Sequence, residues 1–179
     1  MTVQIVYETH SVTEDNEAGI ATGWLPGRLS AYGRECARLL GERRRNDNIA
    51  AVFSSDLARA PETAAIAFTG TRIPVYFDSR LRECNYGALN GAPVETVAAQ
   101  RLGRIDEPFP GGQSYRQVVD ATRSLLADLA SGWDGRRIAL IAHSANRWAL
   151  DHLLGGQPLE TVMSAPFAWR AGWEYLLPS

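Results

Sequence analysis

The sequence predicts an α/β fold in a single domain spanning residues 1–179, and three observations support this prediction. Short apolar runs typical of buried strands alternate with segments whose apolar residues recur at helical spacing. Hydrophobic residues make up 45% of the chain, which is enough to form a core without disulfides or metal ions. Two of the three histidines lie just past predicted strands, where parallel α/β sheets place their reactive groups.

The N-terminal part of the chain predicts a strand, a long loop and a helix. Val3–Tyr7 is the apolar run of the first strand, and a polar, glycine-containing loop follows over residues 11–29. Ser30 predicts the start of the helix, because its hydroxyl can accept a hydrogen bond from a free backbone N–H group. Arginines 43–45 end the helix, and we expect them to be solvated there. The apolar positions at helical spacing are Tyr32, Cys36, Leu39 and Leu40.

The middle of the chain predicts two further strands separated by a helix. Ile49–Phe53 is the apolar run of a buried strand, and Pro74–Phe77 predicts a shorter one. The helix between them begins near Arg59, because Pro61 is tolerated only in a first helical turn. The region that follows is loop-rich, with one short helix near Val94–Ala99.

The C-terminal part predicts a helix, a strand, a second helix and a last strand. A capping-box pattern beginning at Ser114 opens a helix that ends at Gly132. Arg136–Ala142 predicts the strand that leads to the second histidine, and the next helix ends at the glycines at 155 and 156. Residues 173–177 predict a strand at a sheet edge.

Composition excludes several classes of function. The net charge is −2, so nucleic acid and anionic membranes are not expected partners. All 18 basic residues are arginine, which excludes Schiff-base lysine chemistry and lysine-dependent phosphate loops. We expect a cytoplasmic protein: no signal peptide or membrane span is evident, and Cys36 and Cys84 are predicted to be small buried residues in a reducing compartment.

Four residues have the chemistry needed to transfer a phosphoryl group through a histidine. His10 is the candidate nucleophile, since a neutral imidazole can attack phosphorus. Arg59 can hold phosphate oxygens in a bidentate clamp, and a protonated His143 would add positive charge. Glu83 is the candidate general acid, which requires a pKa well above that of a free glutamate. We expect further hydrogen bonds to phosphate from Asn16, Thr22 and Ser144.

The order of these segments along nearly the whole chain resembles that of the histidine phosphatase superfamily, the phosphoglycerate-mutase-like enzymes. The similar segments are the strand into His10, Thr22-Gly23-Trp24, residues 54–64, Arg80-Leu81-Arg82-Glu83 and Ala142-His143-Ser144. The resemblance implies a three-layer α/β/α sandwich with a mostly parallel central sheet, in the family's compact phosphatase branch. It also implies a metal-independent phosphohistidine mechanism, with His10 as nucleophile, Glu83 as proton donor, and Arg59 and His143 as phosphate ligands.

The first motif departs from the family pattern. Thr9-His10-Ser11 stands where the family has Arg-His-Gly, so one clamp arginine is absent, and Glu8 stands where family members are usually apolar. Losing a charged partner costs on the order of 2–3 kcal/mol, or roughly a hundredfold in binding or rate. Arg28 and Arg147 are the candidate replacements. Glu8 either points away and pairs with an arginine, or faces the pocket and orients His10 or His143.

Four functions therefore compete: a phosphatase of small phosphorylated metabolites, a binding protein for an anion or partner, an enzyme doing other acid–base chemistry, and a serine hydrolase. The acid–base enzyme would use Glu8, His10, His143 and Glu83. The serine hydrolase would use Ser144, but its turn lacks the glycines of a nucleophile elbow. Neither cysteine has an arginine six residues later, which argues against cysteine-based phosphatases, and no dense cluster of metal-binding residues is present.

The remaining predictions concern ligands and partners. We expect no cofactor and no metal, a small phosphorylated molecule as substrate, and pocket walls formed by residues 90–110 and 148–169. The sequence is also compatible with assembly into a homo-oligomer.

Overall fold

Seven strands and seven α-helices alternate along the chain in the structure, a computed structural model that describes all residues from 1 to 179. The strands are β1 (Thr2–Thr9), β2 (Ile20–Ala21), β3 (Ala51–Ser54), β4 (Val75–Phe77), β5 (Ala92–Pro93), β6 (Arg137–Ala142) and β7 (Trp173–Pro178). The helices are α1 (Glu14–Glu17), α2 (Ala31–Arg44), α3 (Arg59–Ala67), α4 (Val94–Gln100), α5 (Tyr115–Gly132), α6 (Ser144–Leu153) and α7 (Leu159–Ser164). Short 3-10 turns cover Ser79–Leu81, Gly87–Leu89 and Arg101–Arg104.

The central sheet has the strand order β4-β3-β6-β1-β7. The first four strands are mutually parallel, and β7 is antiparallel at the edge beside β1. This arrangement confirms the predicted α/β class with a mostly parallel sheet. In the register of the sheet, Thr9 pairs with Ala142 and Ser54 pairs with Ile141. The residues that follow β1, β3 and β6 therefore lie close together at the carboxyl ends of these parallel strands.

Helices cover both faces of the sheet. Alternate residues of β1 point to opposite sides and pack against different helices. Val3, Ile5 and Tyr7 pack in a core with residues of α5 and α6, whereas Val6 packs with residues of α2 and α3. Burying each such side chain contributes about 1.5–3 kcal/mol. A third apolar cluster includes Cys84, Tyr86, Val97, Phe109, Tyr115 and Trp148. It supports the segments that leave the sheet between β4 and α5.

Helix α2 buries a different face from the predicted one. Its buried residues are Gly33, Ala37, Leu40 and Gly41, whereas Tyr32 is 64% exposed and Leu39 is 41% exposed. A Cβ atom added at residue 33 would lie 1.7 Å from the backbone oxygen of Val12. Small residues thus permit close backbone packing that hydrophobic periodicity does not detect. Cys36 is also only partly buried, contrary to expectation.

The predicted boundaries of the remaining elements agree closely with the structure, including the Ser30 cap and the Ser114 capping box. Four elements were not predicted: α1, α7 and the two short strands β2 and β5, which form a separate small sheet. None of the helices is long and apolar enough to cross a membrane.

Candidate active site

A cavity of about 420 Å³ opens where β1 and β6 end. Seven of the predicted site residues line it: Thr9, His10, Asn16, Thr22, Arg59, Glu83 and Ser144. His143 is only 1% exposed and lies beside His10, with 5.0 Å between the ring centroids. The parallel register therefore brings together residues that are more than 130 positions apart in sequence.

His10 is neutral, and its proton can be placed. Its Nδ1 atom lies 2.7 Å from the backbone oxygen of Ser11, which can only accept a hydrogen bond, so Nδ1 carries the proton. The Nε2 atom accepts a hydrogen bond from Arg59 Nε at 3.3 Å. Burial, and secondly the charge of Arg59, lower the pKa of His10 to about 3. The imidazole thus presents a basic nitrogen beside a guanidinium.

Arg59 is a buried cation in the first turn of α3, with 2% of its surface exposed. It donates to the backbone oxygens of Gly23 at 2.8 Å and Leu25 at 3.2 Å, which ties the loop before α2 to the site. Thr63 donates to the Arg59 backbone oxygen at 2.7 Å and accepts from the Ser11 N–H at 3.0 Å. These bonds fix the side chain of Arg59 relative to the loop that carries His10.

His143 caps α6 and is held on three sides. Its N–H donates to Asn146 Oδ1 at 3.1 Å, its backbone oxygen accepts from the Tyr7 hydroxyl, and its Nε2 lies 2.8 Å from Ser55 Oγ. Burial and the neighbouring Arg59 and His10 lower the pKa of His143 well below its usual value. The imidazole is therefore neutral near pH 7 and does not carry the positive charge that its protonated form would add. Its Nδ1 atom is buried and has no protein partner.

Glu83 has the environment of a general acid. Its Oε1 atom accepts from the Cys84 N–H at 2.8 Å, and its Oε2 atom accepts from Ser144 Oγ at 3.1 Å. Burial raises the pKa of Glu83, although these hydrogen bonds and the charge of Arg59 act in the opposite direction. The carboxyl group consequently stays protonated to higher pH than a free glutamate.

The three predicted hydrogen-bond donors line the cavity, but two of them already have protein partners. Thr22 donates its hydroxyl to Asp15 at 2.7 Å, and Ser144 donates to Glu83. Asn16 uses its Oδ1 atom and backbone N–H in a capping box with Thr13, which leaves its Nδ2 atom outside that motif. Of these three residues, Asn16 is therefore the one whose side-chain donor, Nδ2, takes no part in the hydrogen bonds described above.

The structure shows where the side chains of the divergent first motif lie. Thr9 lines the cavity, whereas Glu8 is 2% exposed and pairs with Arg44 at 2.8 Å and Arg43 at 3.4 Å. Glu8 therefore does not face the cavity, and the arginines at the end of α2 are not simply solvated. Ser11 is buried, and its N–H is bonded to Thr63.

Neither predicted replacement arginine reaches the cavity. Arg28 is 73% exposed and pairs with Glu14 at 2.7 Å. Arg147 lies 3.5 Å from Asp151 and covers the Trp173 ring at 5.2 Å.

Several lining residues were not singled out from the sequence. Arg101 and Phe167 line the cavity and come from the two segments predicted to form its walls, but no local pattern distinguishes them there. Ser55 follows β3, and its hydroxyl contacts the His143 ring. This contact joins residues far apart in sequence, and no local pattern indicated it. No group of three or more His, Cys, Asp or Glu side chains in the structure could hold a metal ion.

Comparison with known proteins identifies the family of the chain. The family model described as histidine phosphatase superfamily (branch 1) matches residues 9–168, so the chain belongs to this superfamily. It is 29% identical over 164 residues to a probable phosphoglycerate mutase, GpmB, of Salmonella choleraesuis, covering 87% of this chain and 76% of that protein.

Solved structures of similar proteins share the fold. The mycobacterial glucosyl-3-phosphoglycerate phosphatase Rv2419c, solved with VO3, is 26% identical with a TM-score of 0.81, covering 98% of this chain and 99% of that chain. Bacillus stearothermophilus YhfR is 24% identical with a TM-score of 0.83, covering 94% and 88%. The fold of this chain is therefore phosphoglycerate-mutase-like, and phosphatases are among its structural neighbours.

Proposed function

We propose that this protein is a phosphatase that hydrolyses a small phosphate monoester through a phosphohistidine on His10. The observation that carries the proposal is the neutral imidazole of His10 in the cavity lining. Its Nε2 atom lies 3.3 Å from Arg59 Nε, and its Nδ1 atom donates to the Ser11 backbone oxygen. A nucleophile needs this unprotonated nitrogen, and the transferring phosphoryl group needs the adjacent positive charge.

In the first half of the reaction, the Nε2 lone pair of His10 forms a bond to phosphorus while the bond from phosphorus to the ester oxygen breaks. Glu83 gives its proton to that oxygen, so the leaving group departs as a neutral alcohol. Arg59 binds the phosphoryl oxygens with the N–H groups that are not bonded to Gly23, Leu25 or His10.

In the second half, water attacks phosphorus and the bond from Nε2 to phosphorus breaks. The Glu83 carboxylate takes a proton from this water, which regenerates the acid for the next cycle. Inorganic phosphate leaves, and His10 returns to its neutral form. We propose that no metal ion takes part and that the enzyme acts in the cytoplasm.

The names of similar proteins support phosphoryl chemistry of this kind. They include the glucosyl-3-phosphoglycerate phosphatase already described and a putative alpha-ribazole-5'-P phosphatase from Escherichia coli, whose structure is 20% identical with a TM-score of 0.82. We infer a small phosphorylated metabolite as substrate, because a cavity of about 420 Å³ has the size of a small-molecule site.

Phosphate release from phenyl phosphate after treatment with a chelator tests the proposal. We expect turnover by the native protein. In His10→Ala the rate of phosphate release should fall by at least a thousandfold, because the covalent intermediate cannot form without the nucleophile. His152→Ala is the control, because His152 bonds the Gln157 backbone oxygen outside the cavity. Equal rates for His10→Ala and the native protein would overturn the mechanism.

A second function, anion binding without turnover, is favoured by one observation. Thr9 supplies no guanidinium, and Arg59 already donates to two backbone oxygens and to His10. This function predicts no phosphate release from any ester but a higher melting temperature in the presence of phosphate or vanadate.

A further inference from the structure

Two large aromatic side chains in the cavity lining are left largely uncovered by the protein. Phe167 and Trp169 belong to the segment 165–172, which connects α7 to β7. The Phe167 residue is 42% exposed and the Trp169 residue is 63% exposed. Exposed apolar surface in a cavity favours binding of an apolar group, because binding removes that surface from water.

Contacts with α2 and β7 hold the segment 165–172 in place. Arg44 Nη2 donates to a backbone oxygen of the segment at 3.0 Å, and the Arg43 guanidinium lies 5.9 Å from the centroid of the Trp169 ring. The Phe167 ring contacts the buried Trp173 ring of β7, with 6.3 Å between the centroids. These contacts position both rings at the cavity while leaving much of their surface exposed. A ligand therefore meets a preformed aromatic wall.

The lining combines the polar groups of the proposed reaction with apolar side chains from other elements. The polar groups that act on the phosphoryl group are His10, Arg59 and Glu83. Besides the two aromatic residues, β2 and α4 contribute apolar side chains: Ile20, Ala21, Val94 and Val97. Hydroxyl groups of a leaving group would find no hydrogen-bond partner on these side chains, which is unfavourable. An apolar leaving group avoids this cost.

We propose that Phe167 and Trp169 bind the leaving group of the substrate, and that this group is an aromatic alcohol. The substrate is then an aryl phosphate. This inference rests on the proposed phosphatase function and adds the substrate class. Aromatic rings pair favourably in offset or edge-to-face arrangements, with centroids about 4.5–7 Å apart. A rigid ring also loses little conformational freedom when it binds.

The test compares 2-naphthyl phosphate with phenyl phosphate, because their leaving groups differ by one ring and have similar acidity. In the native protein, kcat/KM for the naphthyl ester should be about fivefold or more above that for the phenyl ester, since the second ring buries more apolar area. This ratio should fall below about twofold in Trp169→Ala and by at least about half in Phe167→Ala. Trp169→Phe keeps a ring and should retain most of the preference.

Tyr32→Ala is the matched control. Tyr32 is an aromatic residue on α2 with nearly the same exposure as Trp169, but it lies outside the cavity, so its removal should leave the ratio unchanged. Inhibition by inorganic phosphate is measured alongside, because phosphate has no leaving group. In Trp169→Ala the inhibition constant should stay within about twofold of the native value. The ratio of two esters measured on one preparation does not depend on the fraction of folded protein.

Three results overturn the assignment of the aromatic wall. The native protein could hydrolyse both esters with equal kcat/KM, or both alanine variants could keep the native ratio. The third is a phosphate inhibition constant that rises in Trp169→Ala as much as the ratio falls, which would mean that the whole cavity is distorted. Failure of the phosphatase function looks different, because then neither ester shows hydrolysis that depends on His10, and the inference falls with it.

Discussion

At the residue scale, the two departures in the first motif lie in different surroundings, Glu8 outside the cavity and Thr9 in its lining. Glu8 is buried on the face away from the cavity, and its carboxylate is matched by Arg44. Gly172 accommodates this pair, because a Cβ there would lie 2.2 Å from Arg44 Nη2. Thr9, one residue later, faces the cavity. The sequence indicated both positions as unusual, but the direction of the Glu8 side chain depends on contacts with the distant residues 44 and 172.

Glu8→Gln should therefore lower stability rather than activity. Loss of the charged hydrogen bond to Arg44 is expected to reduce the free energy of unfolding by about 2 kcal/mol. Urea unfolding measures this, and Glu14→Gln, which breaks the exposed pair with Arg28, should cost less than about 1 kcal/mol. A large fall in kcat/KM with unchanged stability would instead assign Glu8 to the chemistry.

Thr9→Arg restores a guanidinium at the cavity. We expect kcat/KM for phenyl phosphate to rise by roughly tenfold to a hundredfold, because a charged hydrogen bond to the phosphoryl group is worth about 1.5–3 kcal/mol. Thr9→Gln is the control, since it has a comparable length and no charge. Equal activities of the two variants would indicate that positive charge at this position does not limit the reaction.

At the scale of single elements, local signals predicted the starts of helices well. The Ser30 cap and the Ser114 capping box are both present, and α3 begins at Arg59, two residues before Pro61. The buried face of α2 was predicted poorly, because Gly33 and Gly41 bury backbone against backbone. Helix α7 has only six residues, which is too short for a clear helical period.

Gly33→Ala tests the importance of close packing by α2. In an exposed helix this change would stabilise by up to about 1 kcal/mol, but here the new methyl group would meet the Val12 backbone oxygen at 1.7 Å. We expect thermal unfolding to reveal destabilisation of about 1–3 kcal/mol. Gly132→Ala is the control, because no atom lies within 4 Å of the added Cβ. Similar effects of both substitutions would contradict the packing described.

At the scale of the whole molecule, the parallel sheet explains why the site could be located from sequence. The rule that reactive groups follow parallel strands predicted that His10 and His143 would meet, and their rings lie 5.0 Å apart. The protonation of these rings could not be predicted in the same way. It depends on burial and on Arg59, which come from the folded chain as a whole.

Burying two neutral histidines makes the stability of the whole molecule sensitive to acid. The pKa of His10 falls from 6.5 in the unfolded chain to about 3 in the fold, so between these values only the unfolded chain binds the proton. Stability is therefore complete above pH 6.5 and is lost as the pH falls towards 3, by up to about 1.4 kcal/mol per pH unit for this residue. Urea unfolding of His10→Gln at several pH values should give a shallower slope, and an unchanged slope would contradict the buried neutral state.

The central claim, that His10 accepts the phosphoryl group, is tested most directly by trapping the intermediate in Glu83→Gln. With 4-nitrophenyl phosphate the leaving group needs no proton, so the first step proceeds, whereas the second step lacks its base. Alkaline quenching followed by mass spectrometry of the peptide containing residue 10 is the measurement. In Glu83→Gln, the proposed mechanism predicts a phosphoryl group on His10 and release of one nitrophenol per enzyme molecule in the first turnover. In the double variant that also carries His10→Ala, it predicts no phosphorylated peptide and no such release. Nitrophenol release that continues at the native rate without a phosphorylated peptide would contradict it.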